Sequence, residues 1–469
     1  MSTDPTEKRS SLSGQRPGGT LELLPGEQMG FNRMLDTIRR VYETFGFAPI
    51  STPAFEFADT LRAKGGDDAQ IFYLAQSRYQ ASKGDSNQEG MLALKFDQTV
   101  PLARYWGEHG SQLSRPFRRY QIQPAWRAEK PQADRFREFV QCDIDVIGTD
   151  SPFVDAEIIA TLDATLLAIG LTEYHIRVSN RQVLDGLLEA QGVVGDSVHA
   201  VLHALDGLDK NGTAATEAAL RGIGLSEKQI TALFDLIDVC GSTSTLNDLS
   251  AKAPNPTFDA GIETLALIMD SMQAFGATSE RVSIDFRVVR GLDYYTGPVF
   301  EGCHPDINGS ICGGGRFDDL VEVFSGQRLP SVGGSIGATR LFSKLKDTLF
   351  ASGPSSPAQV LIAQRAGNDL TRRSIEVASA LRGRGIATET CLGETEIRGQ
   401  LGRANQLGIP WAIIIGEDEL ANGVLTLKNM TASDQFKNMT LNSVAAAIIA
   451  SRQPQEEPHV HQSHPRHDS

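Results

Sequence analysis

The chain has 469 residues, of which 40% are hydrophobic and 22% charged, and this length accommodates two or three domains. The formal net charge of −14 argues against a protein that coats nucleic acid nonspecifically. No apolar run is long enough to span a bilayer, and residues 1–18 lack the apolar core of a secretory signal. The five cysteines show no metal-binding spacing, so we expect reduced thiols in a cytoplasmic protein.

Helical spacing of apolar residues marks the start of the folded part. Residues 1–18 are predicted to form a disordered N-terminal tail. Residues 27–45 predict a helix that ends at Gly46. Residues 50–56 then predict a strand, in which Pro53 favours an edge or an interface.

Residues 92–106 are predicted to be strands around tight turns, and they contain a candidate site for an amino group. Asp97 and Thr99 are two positions apart, so on a strand their side chains would face the same side. A carboxylate and a hydroxyl together can accept the donors of an ammonium group. A solvated acid on a strand is the alternative.

Residues 117–147 predict two strands joined by a proline-containing turn at 130–134. Charged side chains crowd this hairpin: Arg127, Glu129, Arg135 and Arg137. Arginine binds phosphate oxygens through two parallel hydrogen bonds and keeps its charge. The hairpin is therefore a candidate phosphate-binding element, with a surface hairpin of solvated charges as the alternative.

The middle of the chain is predicted to be mostly helical. Residues 153–170 and almost all of 178–272 show helical spacing, with a capping box that begins at Ser226. Strands are predicted to return at 282–288 and 297–303.

Residues 289–300 read Val-Arg-Gly-Leu-Asp-Tyr-Tyr-Thr-Gly-Pro-Val-Phe. They place the fixed cation of Arg290 beside the phenols of Tyr294 and Tyr295. Such a cluster suits a site that holds an anionic group and a small polar ring together. A strand with two half-buried tyrosines is the alternative for this segment taken alone.

Glycines follow in residues 312–320 and 332–342, where they permit close approach of the backbone to a ligand or tight packing between elements. The run at 313–315 is predicted to be a turn. It lacks the ending of a P-loop, so a bound phosphate group would be held by arginines and an antiparallel sheet.

The period of the pattern changes after a linker at residues 353–357. Strands and helices alternate beyond it, which predicts a small α/β domain with a mostly parallel sheet. Residues 453–469 are predicted to be a disordered tail. Its four histidines favour a solvated tail over a metal site.

In this order, the quoted segments resemble those of the histidyl-tRNA synthetases, a family of class II aminoacyl-tRNA synthetases, over residues 19–452. The resemblance implies an α/β (α+β) fold with an antiparallel sheet flanked by helices. It implies a catalytic domain at 19–352 with a helical insertion at about 190–265, and an anticodon-binding domain at 358–452. Residues 19–59 resemble the motif through which class II synthetases form homodimers.

The resemblance also implies how histidine is held. The α-amino group would be bound by Asp97, Thr99 and Gln141. The imidazole would be read by Asp145 and Tyr295, and Tyr294 would help to wall the pocket.

For ATP, the resemblance implies a set of contacts from the hairpin and the two flanking motifs. Arg127 and Arg290 would act on the α-phosphate and are the expected catalytic residues. The remaining contacts would be made by Glu129, Arg135, Phe139 stacked on adenine, and Arg340 over adenine and the γ-phosphate. The chain departs from the family pattern at Thr339, where an acid is usual.

The implied reaction uses ATP with Mg²⁺ as the substrate complex and no tightly bound cofactor. Its other partners would be L-histidine and tRNA(His). Two other classes remain: a non-catalytic paralogue that regulates histidine biosynthesis, and an RNA-binding or amino-acid-sensing module. Regulatory paralogues of this family lack an anticodon-binding domain, whereas this chain is expected to contain one, so the first class is disfavoured. The acidic net charge argues against the second class.

Overall fold

The structure is a computed structural model. It describes residues 14–63, 68–74, 90–130, 135–249, 255–289, 295–350, 353–393 and 396–451. The chain divides into two compact units, one formed by residues 1–22 and 38–344 and the other by residues 23–37 and 345–469. Within the described residues, no helix combines the length and apolar character that a membrane crossing requires. The cysteines of the described residues form no disulfide.

The described part of the first unit contains both short and long strands. They are β1 (Ala48–Pro49), β2 (Phe55–Phe57), β3 (Phe72–Tyr73), β4 (Leu92–Leu94), β5 (Phe117–Trp126), β6 (Glu138–Ile147), β7 (His175–Asn180), β8 (Cys240–Gly241), β9 (Val282–Asp285), β10 (Pro298–His304), β11 (Ile307–Arg316) and β12 (Ser331–Gly337).

Helices surround these strands, and two of them, α1 and α13, include residues of both units. They are α1 (Pro25–Thr44), α2 (Ala58–Arg62), α3 (Thr99–His109), α4 (Pro152–Ala168), α5 (Arg181–Ala190), α6 (Asp196–Asp206), α7 (Leu208–Asn211), α8 (Thr213–Ile223), α9 (Glu227–Ile237), α10 (Thr243–Leu246), α11 (Pro256–Ala274), α12 (Glu322–Ser325) and α13 (Ala338–Leu345). Short 3-10 helices cover Asp68–Gln70 and Gly110–Gln112.

The main sheet of this unit has nine strands in the order β1-β5-β6-β12-β11-β10-β7-β9-β8. The pairs β1–β5 and β7–β9 are parallel, and all other neighbouring pairs are antiparallel. A separate antiparallel sheet has the order β2-β4-β3. The predicted antiparallel sheet with flanking helices is confirmed.

Strand β6 has one polar and one apolar face because side chains alternate along a strand. Gln141, Asp143 and Asp145 share one face, and the buried Cys142 and Ile144 lie on the other. In the register with β5, the polar residues lie opposite other polar residues: Gln123 faces Gln141, Gln121 faces Asp143, and Arg119 faces Asp145. The register thus assembles a polar patch on the second and third strands of the sheet.

Helix α4 is apolar around most of its circumference, as expected for a helix that packs against both the sheet and α11. Its two buried acids are paired with arginines. Asp163 accepts from Arg281 at 2.8 and 2.9 Å, and Asp155 pairs with Arg316. Buried charges are tolerated here because each has a partner of opposite sign.

The second unit contains a five-stranded sheet in the order β14-β13-β15-β16-β17. Strands β14, β13 and β15 are parallel, and β16 and β17 are added antiparallel. Its described elements are β13 (Val360–Gln364), β14 (Thr388–Thr390), β15 (Trp411–Ile415), β16 (Leu425–Asn429), β17 (Gln435–Met439), α14 (Asn368–Arg382), α15 (Ile397–Leu407), α16 (Glu417–Asn422) and α17 (Leu441–Ala450).

Strand β13 is buried throughout, and all but its last residue are apolar, because helices cover both of its faces. Val360 and Ile362 pack in the core shared with α14 and α17, whereas Leu361 and Ala363 pack in the core shared with α15. The predicted small α/β domain is confirmed, but the sheet is half antiparallel rather than mostly parallel. Strand β17 and helices α16 and α17 were not predicted from the sequence.

Most predicted elements of the first unit are present, including the hairpin of β5 and β6, helices α1 and α4, and the capping box at Ser226. Helices α6 to α10 occupy most of the predicted insertion. Three predictions are wrong in part. The glycines at 313–315 are in strand β11, residues 50–54 are not a strand, and residues 99–106 are in helix α3. The two predicted tails at 1–18 and 453–469 lie largely or wholly outside the described residues.

Gly314 lies where β11 and β12 approach each other most closely. A Cβ atom at this position would be 2.0 Å from the carbonyl oxygen of Gly333 on the neighbouring strand. We expect Gly314→Ala to lower the free energy of unfolding by about 1–3 kcal/mol, because the strands must separate. Urea denaturation measures the change. Gly337→Ala is the matched control, since its Cβ would be 3.9 Å from the nearest atom, and an equal loss in both variants would contradict the argument.

Candidate active site

A cavity of about 400 Å³ opens on the polar face of β6 and β12. Ten of the twelve residues predicted to bind substrate line it: Asp97, Thr99, Arg127, Glu129, Arg135, Phe139, Gln141, Asp145, Tyr295 and Arg340. The other two, Arg290 and Tyr294, lie outside the described residues. Segments that are far apart in the chain thus meet at one cavity, whereas the roles of the single residues stay predictions.

Asp97 and Thr99 both line the cavity, but not because they share one face of a strand. Strand β4 ends at Leu94 and helix α3 begins at Thr99, so Asp97 lies in the connection before the helix. One carboxylate oxygen of Asp97 accepts from the backbone N–H of Val100 at 3.4 Å. The helix start holds the acid in place. The pair meets at the cavity as expected, but the predicted local structure is wrong and its role in binding an amino group stays a prediction.

Acceptor atoms without donors form the floor of the cavity. Asp97 Oδ2, Asp143 Oδ1 and Gln141 Oε1 are buried atoms that have no hydrogen-bond partner among the described residues. The amide nitrogen of Gln141 donates to Ser335 at 3.1 Å, which leaves its oxygen as the acceptor without a partner. Because unsatisfied buried acceptors are costly, this floor is suited to a ligand that is rich in donors and positively charged.

Burial sets the ionisation of the three acids. It raises the pKa of Asp97 to about 7, against the opposing effect of the nearby Arg127. It raises the pKa of Asp145 to about 7, although Arg119 acts to lower it. The pKa of Asp143 is also raised by burial, while Arg119 and a hydrogen bond with Ser335 oppose the shift. A cationic ligand would favour the ionised form of all three groups.

Gly333 makes room for Asp145 on the neighbouring strand. A Cβ atom on Gly333 would be 1.9 Å from Asp145 Oδ1, so any larger residue would push the carboxylate aside. Glycine is therefore needed at this position because the Asp145 carboxylate lies against the backbone.

Arginines also line the cavity. Arg127 donates to the carbonyl oxygen of Phe96 at 3.1 Å, and its guanidinium carbon lies 5.1 Å from the centre of the Phe139 ring. Arg135 and Glu129 form an ion pair at 2.7 Å. Arg340 donates to the carbonyl oxygen of Ser310 at 2.9 Å. Cations and an aromatic ring together can hold phosphate groups and a flat base.

Thr339, which departs from the family pattern, has a structural contact. Its hydroxyl accepts from the backbone N–H of Val140 on β6 at 2.8 Å, and its side chain is buried. The contact ties the first turn of α13 to β6, next to Arg340. The neutral hydroxyl thus helps to place Arg340.

Sequence reasoning missed several polar residues of the cavity, among them Asp143, Ser335 and Glu301. Asp143 could have been found, since it lies between Gln141 and Asp145 at strand spacing. Ser335 and Glu301 could not, because strand pairing alone brings β12 and β10 to the site. Glu301 is also held by Arg177 at 2.9 Å.

Comparison with known proteins accounts for both units. The family model of histidyl-tRNA synthetase matches residues 19–341. The chain belongs to the histidyl-tRNA synthetase family. A second family model, that of the anticodon-binding domain, matches residues 359–451.

Individual relatives agree with this assignment over nearly the whole chain. The histidine–tRNA ligase of Stenotrophomonas maltophilia is 40% identical over 445 residues, which are 91% of this chain and 96% of the relative. That of Xanthomonas oryzae pv. oryzae is 39% identical over 464 residues, with 93% and 98% covered. The crystal structure of histidyl-tRNA synthetase from Nostoc sp. PCC 7120 superposes with a TM-score of 0.81 at 33% identity, covering 94% of this chain and 99% of that one.

The raised pKa of Asp97 has a consequence for stability. The pKa of the Asp97 carboxyl is 3.8 in its ordinary state and about 7 in the folded protein. The contribution of this group to the free energy of unfolding is therefore fully present below pH 4, is lost as the pH rises to 7, and stays lost above pH 7. We expect Asp97→Asn to stabilise the ligand-free protein by on the order of 3 kcal/mol at pH 8, and the gain should shrink steadily from pH 7 to pH 4.

Thermal and urea unfolding at several pH values measure this gain. Asp306→Asn, at an exposed position between β10 and β11, is the control and should change little at any pH. A gain for Asp97→Asn that is the same at pH 4 and pH 8 would show that the buried charge is not its cause.

Proposed function

We propose that this chain is a histidine–tRNA ligase, which activates L-histidine with ATP and transfers the histidyl group to the 3′ end of tRNA(His). The observation that carries the proposal is one cavity lined by two chemically different sets of groups. Buried acceptors without donors form one set, and arginines with an aromatic ring form the other. Histidine offers ammonium and ring N–H donors to the first set, and ATP offers phosphates and adenine to the second.

In the histidine site, the ammonium group is bound by Asp97, Thr99 and Gln141. The acceptors without partners on Asp97 and Gln141 support this role. The imidazole N–H is accepted by Asp145, and Tyr295 completes the ring site with Tyr294. A substrate without these donors would leave buried acceptors unsatisfied, at a cost of about 1–3 kcal/mol each.

In the ATP site, Arg127 neutralises the α-phosphate, and Arg290 approaches the same group. Adenine stacks on Phe139 beneath Arg340, and Glu129 and Arg135 belong to the hairpin that covers the nucleotide. Mg²⁺ arrives and leaves with the phosphates as part of the substrate. The work of these side chains is to position the reactants and to neutralise charge.

The reaction has two steps. A carboxylate oxygen of histidine attacks the α-phosphorus, the bond from that phosphorus to the bridging oxygen breaks, and pyrophosphate leaves with Mg²⁺. A hydroxyl of the terminal ribose of tRNA(His) then attacks the histidyl carbonyl, its proton is lost, and AMP leaves.

The proposal includes the domain roles and a homodimer. Residues 19–352 form the catalytic domain, residues 353–357 the linker, and residues 358–452 the part that binds the anticodon. Dimerisation is supported by the exposed aromatic rings of Phe55 and Phe57 on β2, of which 48% and 56% of the surface is accessible. Apolar surface of this kind marks an interaction site when it is clustered.

A regulatory paralogue without catalytic activity is the second candidate. It is disfavoured because an anticodon-binding domain is matched at residues 359–451 and the arginines of the ATP site are present. Exchange of radioactive pyrophosphate into ATP separates the two, since only an enzyme that forms histidyl-adenylate catalyses exchange that depends on histidine.

Arg127 is expected to act on the transition state of the first step. Arg127→Met should slow pyrophosphate exchange roughly a hundred- to a thousandfold, because one preorganised charge is worth about this factor. Binding of histidine in the absence of ATP should change little. Lys130→Met removes an exposed cation from the same hairpin and serves as the control. Near-normal exchange in Arg127→Met would refute the assignment.

The C-terminal unit is expected to affect transfer to tRNA without affecting activation. Arg372 and Arg398 are exposed on α14 and α15, which cover opposite faces of the sheet. We expect Arg372→Glu or Arg398→Glu, whichever lies on the RNA-facing side, to raise the KM for tRNA(His) and reduce the salt dependence of tRNA binding.

Both variants should keep the wild-type rate of pyrophosphate exchange. Aminoacylation kinetics at two salt concentrations measure the effect, and the variant on the other face is the internal control. If neither variant changes charging of tRNA, α14 and α15 do not contribute the RNA-binding surface.

A further inference from the structure

Arg119 is a fully buried cation behind the floor of the cavity. Its guanidinium lies 2.6 Å from Asp145 Oδ2, without the alignment of a hydrogen bond. It also donates to the side chain of Gln121 at 3.2 Å and to the backbone carbonyl of Gln98 at 3.5 Å. Arg119 itself does not line the cavity, so it acts on a ligand only through these neighbours.

Gln98 connects Arg119 to the opposite end of the amino-acid site. It lies between Asp97 and Thr99 in the chain, and its amide donates to the backbone carbonyls of Gln123 and Gln141 at 2.8 and 3.3 Å. The side chain of Gln98 is completely buried. One buried network therefore joins the residues proposed for the ammonium group to the residue proposed for the ring.

We propose that Arg119 is a positioning residue of the histidine site, which keeps Asp145 ionised and links it to the segment that binds the ammonium group. This inference rests on the proposed role of Asp145 in binding histidine. Arginine suits the task because it remains charged when buried and its several donors reach three neighbours at once.

The charges around Asp145 explain why a cation is needed there. Asp143 on the same strand and Asp97 before α3 both act to raise its pKa, whereas Arg119 on β5 acts to lower it. On strand β12, Gly333 is paired with Asp145 and lies against its carboxylate, and Tyr295 lines the same cavity. Lys95, a buried neighbour that acts on Asp143, is held by Thr52 and Gln123. Among the described charged residues that act on Asp145, Arg119 is the cation, so its loss leaves Asp145 with the like charges of Asp143 and Asp97.

Three single variants test the proposal: Arg119→Met, Arg119→Lys and the control Arg118→Met. Arg118 is the next residue on β5 but lies on the other face, where it pairs with Glu157 at 2.8 Å. Histidine binding is measured by calorimetry from pH 6 to pH 9, always relative to the wild type at the same pH, because histidine itself titrates in this range. ATP binding without histidine and thermal unfolding are measured in parallel.

We expect Arg119→Met to weaken histidine binding at least tenfold at pH 7.5 and less at pH 9, where Asp145 ionises without help. The pH midpoint of binding should move up by one unit or more, because a tenfold change corresponds to one pKa unit. Arg119→Lys should restore part of both effects. ATP binding and the midpoint in Arg118→Met should stay at the wild-type values.

If Arg119→Met weakens histidine and ATP binding equally and leaves the pH midpoint unchanged, Arg119 has a purely structural role and the inference fails. The double variant Arg119→Met with Asp145→Asn guards against misfolding, since it removes both charges together. It should unfold at a higher temperature than Arg119→Met, and its histidine binding should show no pH midpoint that arises from Arg119 and Asp145. A midpoint that persists unchanged would also overturn the inference.

Asp145→Asn alone separates this inference from the proposed function. If that variant binds histidine normally, the assignment of Asp145 to the substrate is wrong. If Asp145→Asn loses histidine binding while Arg119→Met keeps it, the substrate site stands and only the role of Arg119 is refuted.

Discussion

The cost of burying three carboxylates in one cavity is the constraint on which the rest of this structure depends. Asp97, Asp143 and Asp145 are almost inaccessible to solvent, and burial raises the pKa of each. Taking carboxylates out of water is unfavourable unless a cation or donors replace the lost hydration. Burial of these carboxylates therefore lowers the stability of the ligand-free protein, and a cationic ligand would offset this loss when it binds. Ligand affinity and folding stability are thus linked at this site.

Several features of the fold limit this cost without removing it. Arg119 and Lys95 place positive charge behind the floor, on the side away from the ligand. Gly333 lets the carboxylate of Asp145 lie against the backbone of β12. The β5–β6 register places Arg119 opposite Asp145. The acceptors facing the cavity have no donors among the described residues. The cations behind the floor therefore offset part of the cost of burying the acids, while the acceptors in front of it can bind a ligand.

The basic wall of the cavity follows from the same sheet. Arg127 and Phe139 lie at the turn end of the β5–β6 hairpin and contact each other, while Arg340 comes from the start of α13, directly after β12. A single, mainly antiparallel sheet thus places an acidic floor and a basic wall within one cavity. An amino acid held at the floor and a nucleotide held at the wall would have their reacting groups side by side, which is the main requirement of acyl-adenylate chemistry.

The amino-acid sequence by itself determined the family, the class of fold and ten residues of the cavity, because long motifs with fixed spacing are specific even where single residues are not. It also predicted the β5–β6 hairpin, since alternation and a turn are local properties. It did not determine the local structure around Thr99 or the glycines at 313–315, because a helix start and a glycine-rich strand depend on packing with distant elements. Only the tertiary structure decided that Arg119 and Ser335 support the acids of β6, since strand register and pairing bring them together.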